Sequence, residues 1–193
     1  MRLDILNRGY GPGTRLLFAL IRLVSRHPVP DAAKLVFYRP DFYGSRAKEF
    51  THEAMRGPSA WSVGDRELMA AYVSQANQSA FCIGAHSATA RQAYQDGPKV
   101  AAVLADLESA PVEDGLRATL RMLGKLTRQG TADAEDVRQV LAAGVSRQQV
   151  TDALAVCAAF NTTNRLADAF GFEVLSPAGF EAGAKYLLKW GYR

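Results

Sequence analysis

The sequence has few cysteines and no apolar stretch long enough to cross a membrane. Its two cysteines, Cys82 and Cys157, lie far apart in the chain, which is not the pattern of a secreted domain held together by disulfides. The apolar segment 16–21 is ended by Arg22 and is followed by no small-residue cleavage site, and it is far too short to span a bilayer. These absences predict a cytoplasmic protein with no membrane partner.

Motifs for binding nucleotides, metals and nucleic acids are also missing. The chain has no glycine-rich phosphate loop, no dinucleotide fingerprint and no zinc-ligand spacing. Its net charge is +4, but basic residues alternate with acidic ones instead of clustering on one face, as nucleic-acid binding requires. A metal site on Cys82 and His86 would need a second pair of ligands that the sequence does not offer. We therefore expect no cofactor, no metal and no nucleic-acid partner.

Helical periodicity fills most of the chain, and no segment shows the sustained alternation of a half-buried strand. Proline and glycine separate the helical segments, and Ser62 followed by Asp65 predicts a capping box at one helix start. The expected fold is an all-α bundle over residues 41–193, preceded by a helical N-terminal arm over residues 1–40. The predicted helices cover residues 14–26, two segments of 31–56 split at Arg39-Pro40, and 62–76, 79–95, 99–107, 113–128, 133–142, 147–169 and 177–189.

The first helix of the arm is amphipathic. Arg15, Arg22 and Arg26 share one side, and the residues that can face a core are Leu16, Leu20, Leu23 and Val24. Such a helix can lie on a membrane surface or pack against protein. We expect it to pack against the body of the chain or against a second subunit.

One segment carries the residues of a thiol–imidazole redox site. Residues 79–86 read SAFCIGAH, and Glu67 stands twelve positions before Ser79. In a helix that begins near Ser79, residues 79, 82 and 86 share one face. Cys82 would lie in the first turn, where exposed backbone N–H groups favour a thiolate, and His86 could take the thiol proton. Glu67 could orient His86 if the two helices pack as a hairpin.

Each of these residues also has an ordinary structural explanation. A single cysteine in an apolar helix is usually a buried filler, and a Cys-x-x-x-His spacing arises easily by chance. The whole role of Ser79 could be that of an N-cap, and the whole role of Glu67 could be to complement the dipole of its helix. The residues alone leave both readings open.

The spacing of the four residues resembles the active-site motif of the carboxymuconolactone decarboxylase/AhpD-like superfamily, especially its peroxidase-related branch. That motif is Glu followed twelve residues later by Cys-x-x-Cys-x-x-x-His, and Glu67, Ser79, Cys82 and His86 stand at its positions. A second segment, residues 160–171 with the sequence FNTTNRLADAFG, resembles the Asn-Arg-x-Ala-Asp-Ala signature of the same branch. The two resemblances agree in order and separation.

The resemblance implies an AhpD-like fold that self-associates as a dimer, trimer or hexamer. It also implies thiol-based peroxide reduction, with Cys82 as the attacking cysteine, His86 as the motif histidine and Glu67 as the carboxylate of a proton relay. The substrate would be a peroxide or another small molecule, and an external thiol is a candidate reductant.

Two positions depart from the motif. Ser79 replaces the first cysteine, and a hydroxyl cannot form the disulfide that resolves an oxidised Cys82. Cys157 is the only internal thiol that could replace it, and its Cα would have to lie within about 7 Å of the Cα of Cys82; an external thiol is the alternative. Phe81 stands where some members carry a histidine, so one relay group is missing.

The second segment has two interpretations. Asn161, Asn164 or Arg165 could line a pocket, or the asparagines could tie their helix to a neighbour while Arg165 pairs with Asp168. We favour the structural role, because asparagine in the middle of a helix usually has a local hydrogen-bonding reason.

Three hypotheses for the function follow. The favoured one is a thiol-dependent, peroxidase-like oxidoreductase with a single motif cysteine. The second is a decarboxylase-like or isomerase-like enzyme in which His86 and Glu67 act as acid and base and Cys82 is incidental. The third, motivated by Ser79, is a non-catalytic, structural member of the family.

Overall fold

A computed structural model describes residues 4–38 and 40–192, which form ten α-helices and no strand. The all-α prediction is therefore confirmed for this part of the chain. Arg39, which the sequence places at the break between two helices, lies outside the described residues. The helices are α1 (Pro12–Ser25), α2 (Asp31–Tyr38), α3 (Ser45–Arg56), α4 (Val63–Ala76), α5 (Ala80–Tyr94), α6 (Gly97–Ala105), α7 (Asp114–Gln129), α8 (Ala134–Ala142), α9 (Arg147–Phe170) and α10 (Pro177–Trp190). A 3-10 turn, Asp4–Asn7, precedes α1, and a π-helical turn, Pro40–Gly44, leads into α3.

Local side-chain caps determine where several helices begin. The Ser62 hydroxyl accepts a hydrogen bond from the backbone N–H of Asp65 at 3.0 Å, and the Asp65 carboxylate accepts one from the backbone N–H of Ser62 at 2.9 Å. The predicted capping box is therefore confirmed. Equivalent boxes start α8 and α9. Each box satisfies backbone donors that the first turn of a helix leaves unpaired.

Helix α4 is the centre of the bundle. It packs most extensively against α5 and also contacts α7 and α9. Leu68, Met69, Ala70 and Ala71 are fully buried, and these consecutive positions point in different directions around the helix axis. A helix that is buried on all sides belongs in the interior. Helices α4 and α5 therefore form the hairpin that Glu67 needs to reach His86.

Helix α10 approaches the other side of α5 closely. A Cβ atom at Gly84 of α5 would lie 2.5 Å from the ring of Phe180 in α10. Only glycine permits this approach without displacing the ring. The close contact holds α10, and the residues that follow it, beside the hairpin.

The N-terminal arm covers the start of α5. Its side chains Leu6 and Leu35 join Cys82 in an apolar cluster that is separate from the main core and that also contains Phe81, Ala167 and Phe172. The Asp31 carboxylate accepts a hydrogen bond from the backbone N–H of Glu173 at 2.9 Å. The arm therefore packs against the body through α2 and the turn before α1. The division of the chain near residue 40 remains a prediction.

Helix α1 makes little contact with the body. None of its residues is buried, and Leu23 and Val24 are 75% and 84% exposed. Its Phe18 ring packs edge-on against the rings of Tyr10 and Phe37, which also belong to the arm. The expected packing against the body is thus made by the segments beside α1, and contact with a second subunit remains a prediction. In the described ranges, no helix combines the length and apolar character that crossing a membrane requires.

We predict that Leu120→Ala lowers the free energy of unfolding by about 3 kcal/mol, because Leu120 is fully buried in the main core and its truncation leaves a cavity. The same substitution at the exposed Leu23 should change the free energy of unfolding by less than about 0.5 kcal/mol. Urea denaturation followed by circular dichroism measures both. Equal losses at the two positions would show that α1 is buried in solution.

Candidate active site

The four predicted site residues lie around the α4–α5 hairpin. Glu67 is on α4, Ser79 directly precedes α5, and Cys82 and His86 lie in the first two turns of α5. Their exposed fractions are 0%, 0%, 1% and 5% in that order. The short connection from Asn77 to Ser79 reverses the chain, so residues distant in sequence meet in the interior.

Glu67 and His86 form a direct hydrogen bond. Glu67 Oε2 lies 2.7 Å from His86 Nδ1, and the His86 ring packs edge-on against Phe160 with 4.3 Å between ring centres. A carboxylate on Nδ1 holds the proton on that nitrogen and leaves Nε2 as an acceptor. The sequence-based expectation that Glu67 orients His86 matches this geometry.

Two further residues, Arg56 and Tyr192, bind the same carboxylate and were missed by the sequence analysis. Arg56 Nη2 donates to Glu67 Oε1 at 2.6 Å, and the Tyr192 hydroxyl donates to Glu67 Oε1 at 2.9 Å. Tyr192 is 125 positions from Glu67 in sequence, and no motif or periodicity links the two. The only signal for Arg56 is its place in the last turn of α3, which by itself indicates a favourable helix-dipole interaction.

Glu67 is ionised in this environment. Burial alone opposes its ionisation, but the hydrogen bond from His86 together with the charge and hydrogen bond of Arg56 outweighs burial, so the pKa of Glu67 lies below its usual value. Burial and the adjacent Glu67 carboxylate raise the pKa of Tyr192 well above its usual value. The phenol therefore keeps its proton and acts as a donor.

Cys82 lies in the first turn of α5, as predicted, but its thiol is protonated at neutral pH. Burial raises the pKa of Cys82 to about 11; a hydrogen bond with Ser79 lowers it, and the charge of Asp168 raises it further. The expectation of a low pKa is therefore wrong for this closed arrangement. The physical reason is that the apolar cluster around the sulfur removes the water that would stabilise a thiolate, and this outweighs the helix N–H groups.

Ser79 has the backbone position of an N-cap but does not cap the helix with its side chain. Its hydroxyl donates instead to Asp168 Oδ1 at 3.0 Å. The residue at the position of the missing motif cysteine therefore connects α5 to α9.

Three hydrogen bonds join the second signature, on α9, to the α4–α5 hairpin. They recur along one face of α9, at positions three and four residues apart. The pairs are Asn77 with Asn161 at 3.1 Å, Ser74 with Asn164 at 3.0 Å and Ser79 with Asp168 at 3.0 Å. Asn161 and Asn164 thus serve the structural role that we favoured. The expected pair of Arg165 with Asp168 is wrong for the described residues, because the Asp168 carboxylate accepts from Ser79 instead.

Cys157 and Cys82 lie in different apolar clusters. The two thiols are free, and Cys157 belongs to the main core whereas Cys82 belongs to the separate cluster. Cys157 Sγ accepts a hydrogen bond from Asn161 Nδ2 at 3.2 Å. Within the described part of the chain, no group of three or more His, Cys, Asp or Glu side chains is arranged to hold a metal ion.

Residues 43–123 match the model of the carboxymuconolactone decarboxylase family. The matched range contains Arg56, Glu67, Ser79, Cys82 and His86, but it does not contain Tyr192 or the second signature. No protein of curated function is significantly similar to the chain in sequence.

Three solved structures have a similar fold. A peroxidase-related protein from Silicibacter sp. TM1040 is 23% identical, with a TM-score of 0.78 over 93% of this chain and 94% of the other. A peroxidase-related protein from Ralstonia eutropha JMP134, described as an alkylhydroperoxidase AhpD core, is 22% identical, with a TM-score of 0.73 over 90% of each chain. A variant of the debrominase Bmp8 in complex with 2,3,4-tribromopyrrole is 15% identical, with a TM-score of 0.70 over 86% of this chain and 88% of the other.

At these identities the structural similarity describes the fold, and the sequence match lies over the helices that carry the candidate site. The chain therefore has the helical fold of these peroxidase-related proteins, and its residues 43–123 match the carboxymuconolactone decarboxylase family model.

Proposed function

We propose that the chain is a thiol-dependent oxidoreductase that reduces a peroxide, with Cys82 as nucleophile and His86 as general base. The observation that carries this proposal is the 2.7 Å contact between His86 Nδ1 and Glu67 Oε2, one helical turn from Cys82. Because Glu67 holds the proton on Nδ1, Nε2 of His86 is free to accept the thiol proton.

The reaction needs no thiolate in the resting protein. His86 takes the proton of Cys82 as the sulfur attacks one peroxide oxygen, the O–O bond breaks, and the departing alkoxide takes the proton back from His86. A thiol and a hydroperoxide thereby become a sulfenic acid on Cys82 and an alcohol. An external thiol then attacks the sulfenic acid, which forms a mixed disulfide with Cys82 and releases water. A second external thiol attacks the mixed disulfide, which regenerates the Cys82 thiol and releases the two external thiols as a disulfide.

The surroundings of Cys82 favour an organic hydroperoxide. The sulfur is buried in a cluster that includes Leu6, Leu35 and Phe172, so a substrate must displace part of this cover and is then surrounded by apolar side chains. The raised pKa of the resting thiol protects it from oxidants until a substrate has entered.

A second candidate function uses His86 and Glu67 as acid and base without the sulfur. The observation in its favour is that the network of Arg56, Glu67, His86 and Tyr192 is complete without Cys82, whose own pKa is raised. A lactone or another substrate with an acidic C–H bond would suit such a site.

We expect Cys82→Ala to abolish peroxide consumption, because the sulfur of Cys82 supplies the two electrons that reduce the peroxide. The assay follows the loss of cumene hydroperoxide in the presence of a small dithiol. The matched control is Cys157→Ala, which removes a buried thiol in the other apolar cluster and should retain activity.

Two results would contradict this expectation. Equal rates of peroxide consumption for Cys82→Ala and the unsubstituted protein would exclude Cys82 as the nucleophile. The acid–base function and the non-catalytic hypothesis would then remain. Loss of activity in Cys157→Ala alone, with folding unchanged, would identify Cys157 as a resolving thiol and contradict the role of the external thiol.

We further predict that Glu67→Gln lowers the free energy of unfolding by about 3 kcal/mol at pH 7, because Arg56 is left with an uncompensated buried charge. The pKa of Glu67 is lowered in the folded protein, so its contribution is fully present above the ordinary value of 4.5 and is lost as the pH falls through the lower folded value. The difference between the two proteins should therefore shrink in acid.

Urea denaturation at a series of pH values measures this difference. The control is Glu135→Gln, which removes an exposed carboxylate paired with Arg138 and should leave stability nearly unchanged. A constant difference between Glu67→Gln and the unsubstituted protein from pH 7 to pH 3 would mean that folding does not lower the pKa of Glu67, and a difference that grows in acid would mean that Glu67 is protonated in the folded state.

A further inference from the structure

Tyr192 is the one member of the carboxylate network that lies beyond the family match. Its hydroxyl is 2.9 Å from Glu67 Oε1 and 3.4 Å from His86 Nδ1. The rings of Tyr192 and His86 are nearly parallel, at 17° with 6.4 Å between their centres. A phenol from the far end of the sequence therefore contacts both members of the Glu67–His86 pair.

The backbone after α10 is built to place this phenol. Gly191 adopts φ 67° and ψ −147°, a conformation suited to glycine, and a Cβ atom at this position would lie 2.7 Å from the His52 ring. The backbone N–H of Tyr192 donates to His52 Nδ1 at 3.2 Å. The turn after Trp190 thus directs Tyr192 back towards α4.

Arg56 holds the same segment from the other side. Its guanidinium lies 5.2 Å from the centre of the Tyr192 ring, a distance typical of cation–π contacts. Arg56 Nη2 also donates to the carbonyl of Leu187 in α10. Arg56 therefore links Glu67, α10 and Tyr192, so the phenol is held by contacts on its ring and on its backbone as well as by its hydroxyl.

The two oxygens of Glu67 have different partners. Oε1 accepts from Arg56 and Tyr192, and Oε2 accepts from His86. With Oε1 occupied by two donors, the carboxylate cannot rotate without breaking bonds in a site that excludes water. Oε2 is thereby kept opposite His86 Nδ1, which determines the tautomer of the imidazole.

We propose that Tyr192 is a positioning residue: its hydroxyl fixes the Glu67 carboxylate so that His86 carries its proton on Nδ1 and presents Nε2 as the base. The effect on the tautomer depends only on the contact between His86 and Glu67 and is independent of the proposed function. The effect on peroxide reduction rests on the proposed function, in which Nε2 accepts the Cys82 proton.

The test is Tyr192→Phe, which removes the hydroxyl oxygen. It keeps the ring, its contact with Arg56 and the hydrogen bond from the backbone N–H to His52. Nitrogen-15 NMR of the imidazole rings reports the tautomer directly. The chain has only three histidines, and a His86→Gln spectrum assigns the signal of His86. We expect a single Nδ1–H tautomer in the unsubstituted protein and a mixture of both tautomers in Tyr192→Phe.

The second measurement is the second-order rate constant for peroxide reduction. It should fall by about tenfold in Tyr192→Phe, the lower end of what loss of a partner that orients a histidine costs in metal sites. The matched control is Tyr186→Phe, which removes a hydroxyl from a tyrosine of α10 that is 54% exposed. It should keep both the tautomer and the rate.

The outcomes separate the two proposals. A tautomer mixture in Tyr192→Phe, with no peroxide reduction by either protein, supports the positioning role and contradicts the proposed function. A single tautomer and equal rates in both proteins overturn the positioning role and leave the function intact. A lower melting temperature with an unchanged tautomer also overturns it, because it assigns the hydroxyl to stability alone.

Discussion

The buried carboxylate of Glu67 constrains the arrangement of the helices around it. A charge without exposure to water is strongly unfavourable unless donors surround it, and α4 supplies none of them. Arg56 comes from the end of α3, His86 from α5 and Tyr192 from the turn after α10. The positions of three other segments are therefore linked to the ionisation of one side chain.

The same burial determines the character of the thiol. The apolar cluster that seals the start of α5 joins the arm to the body, and it also removes the water that a thiolate would need. Sulfur chemistry at Cys82 then depends on a base that is already oriented, and the Glu67–His86 pair is such a base. The hydrogen bonds from α9 to the hairpin connect this site to the second signature, whose polar residues hold the hairpin in place.

Much of the helical structure could be predicted because its signals are local. A capping box such as Ser62 with Asp65 involves residues three positions apart, and proline or glycine breaks act within one turn. The observed helix bounds consequently differ from the predicted ones by about two residues, as expected when ends are marked by nearby side chains. The exception is α3, which begins at Ser45 after a π-helical turn and not directly after the Arg39-Pro40 break. The pairing of Glu67 with His86 could also be anticipated, because a short connection makes α4 and α5 neighbours.

The helices, their order and the residue types of the candidate site follow from the sequence alone, because these depend on periodicity and on spacings of a few residues. The shared contact of Arg56 and Tyr192 with the Glu67 carboxylate arises from folding, since no local pattern indicates a contact across 125 positions. The protonation of Cys82 also depends on the folded structure, because the pKa of a thiol is set by the atoms that replace water around the sulfur. Those atoms come from the arm, α9 and the loop after α9, which meet only in the folded chain.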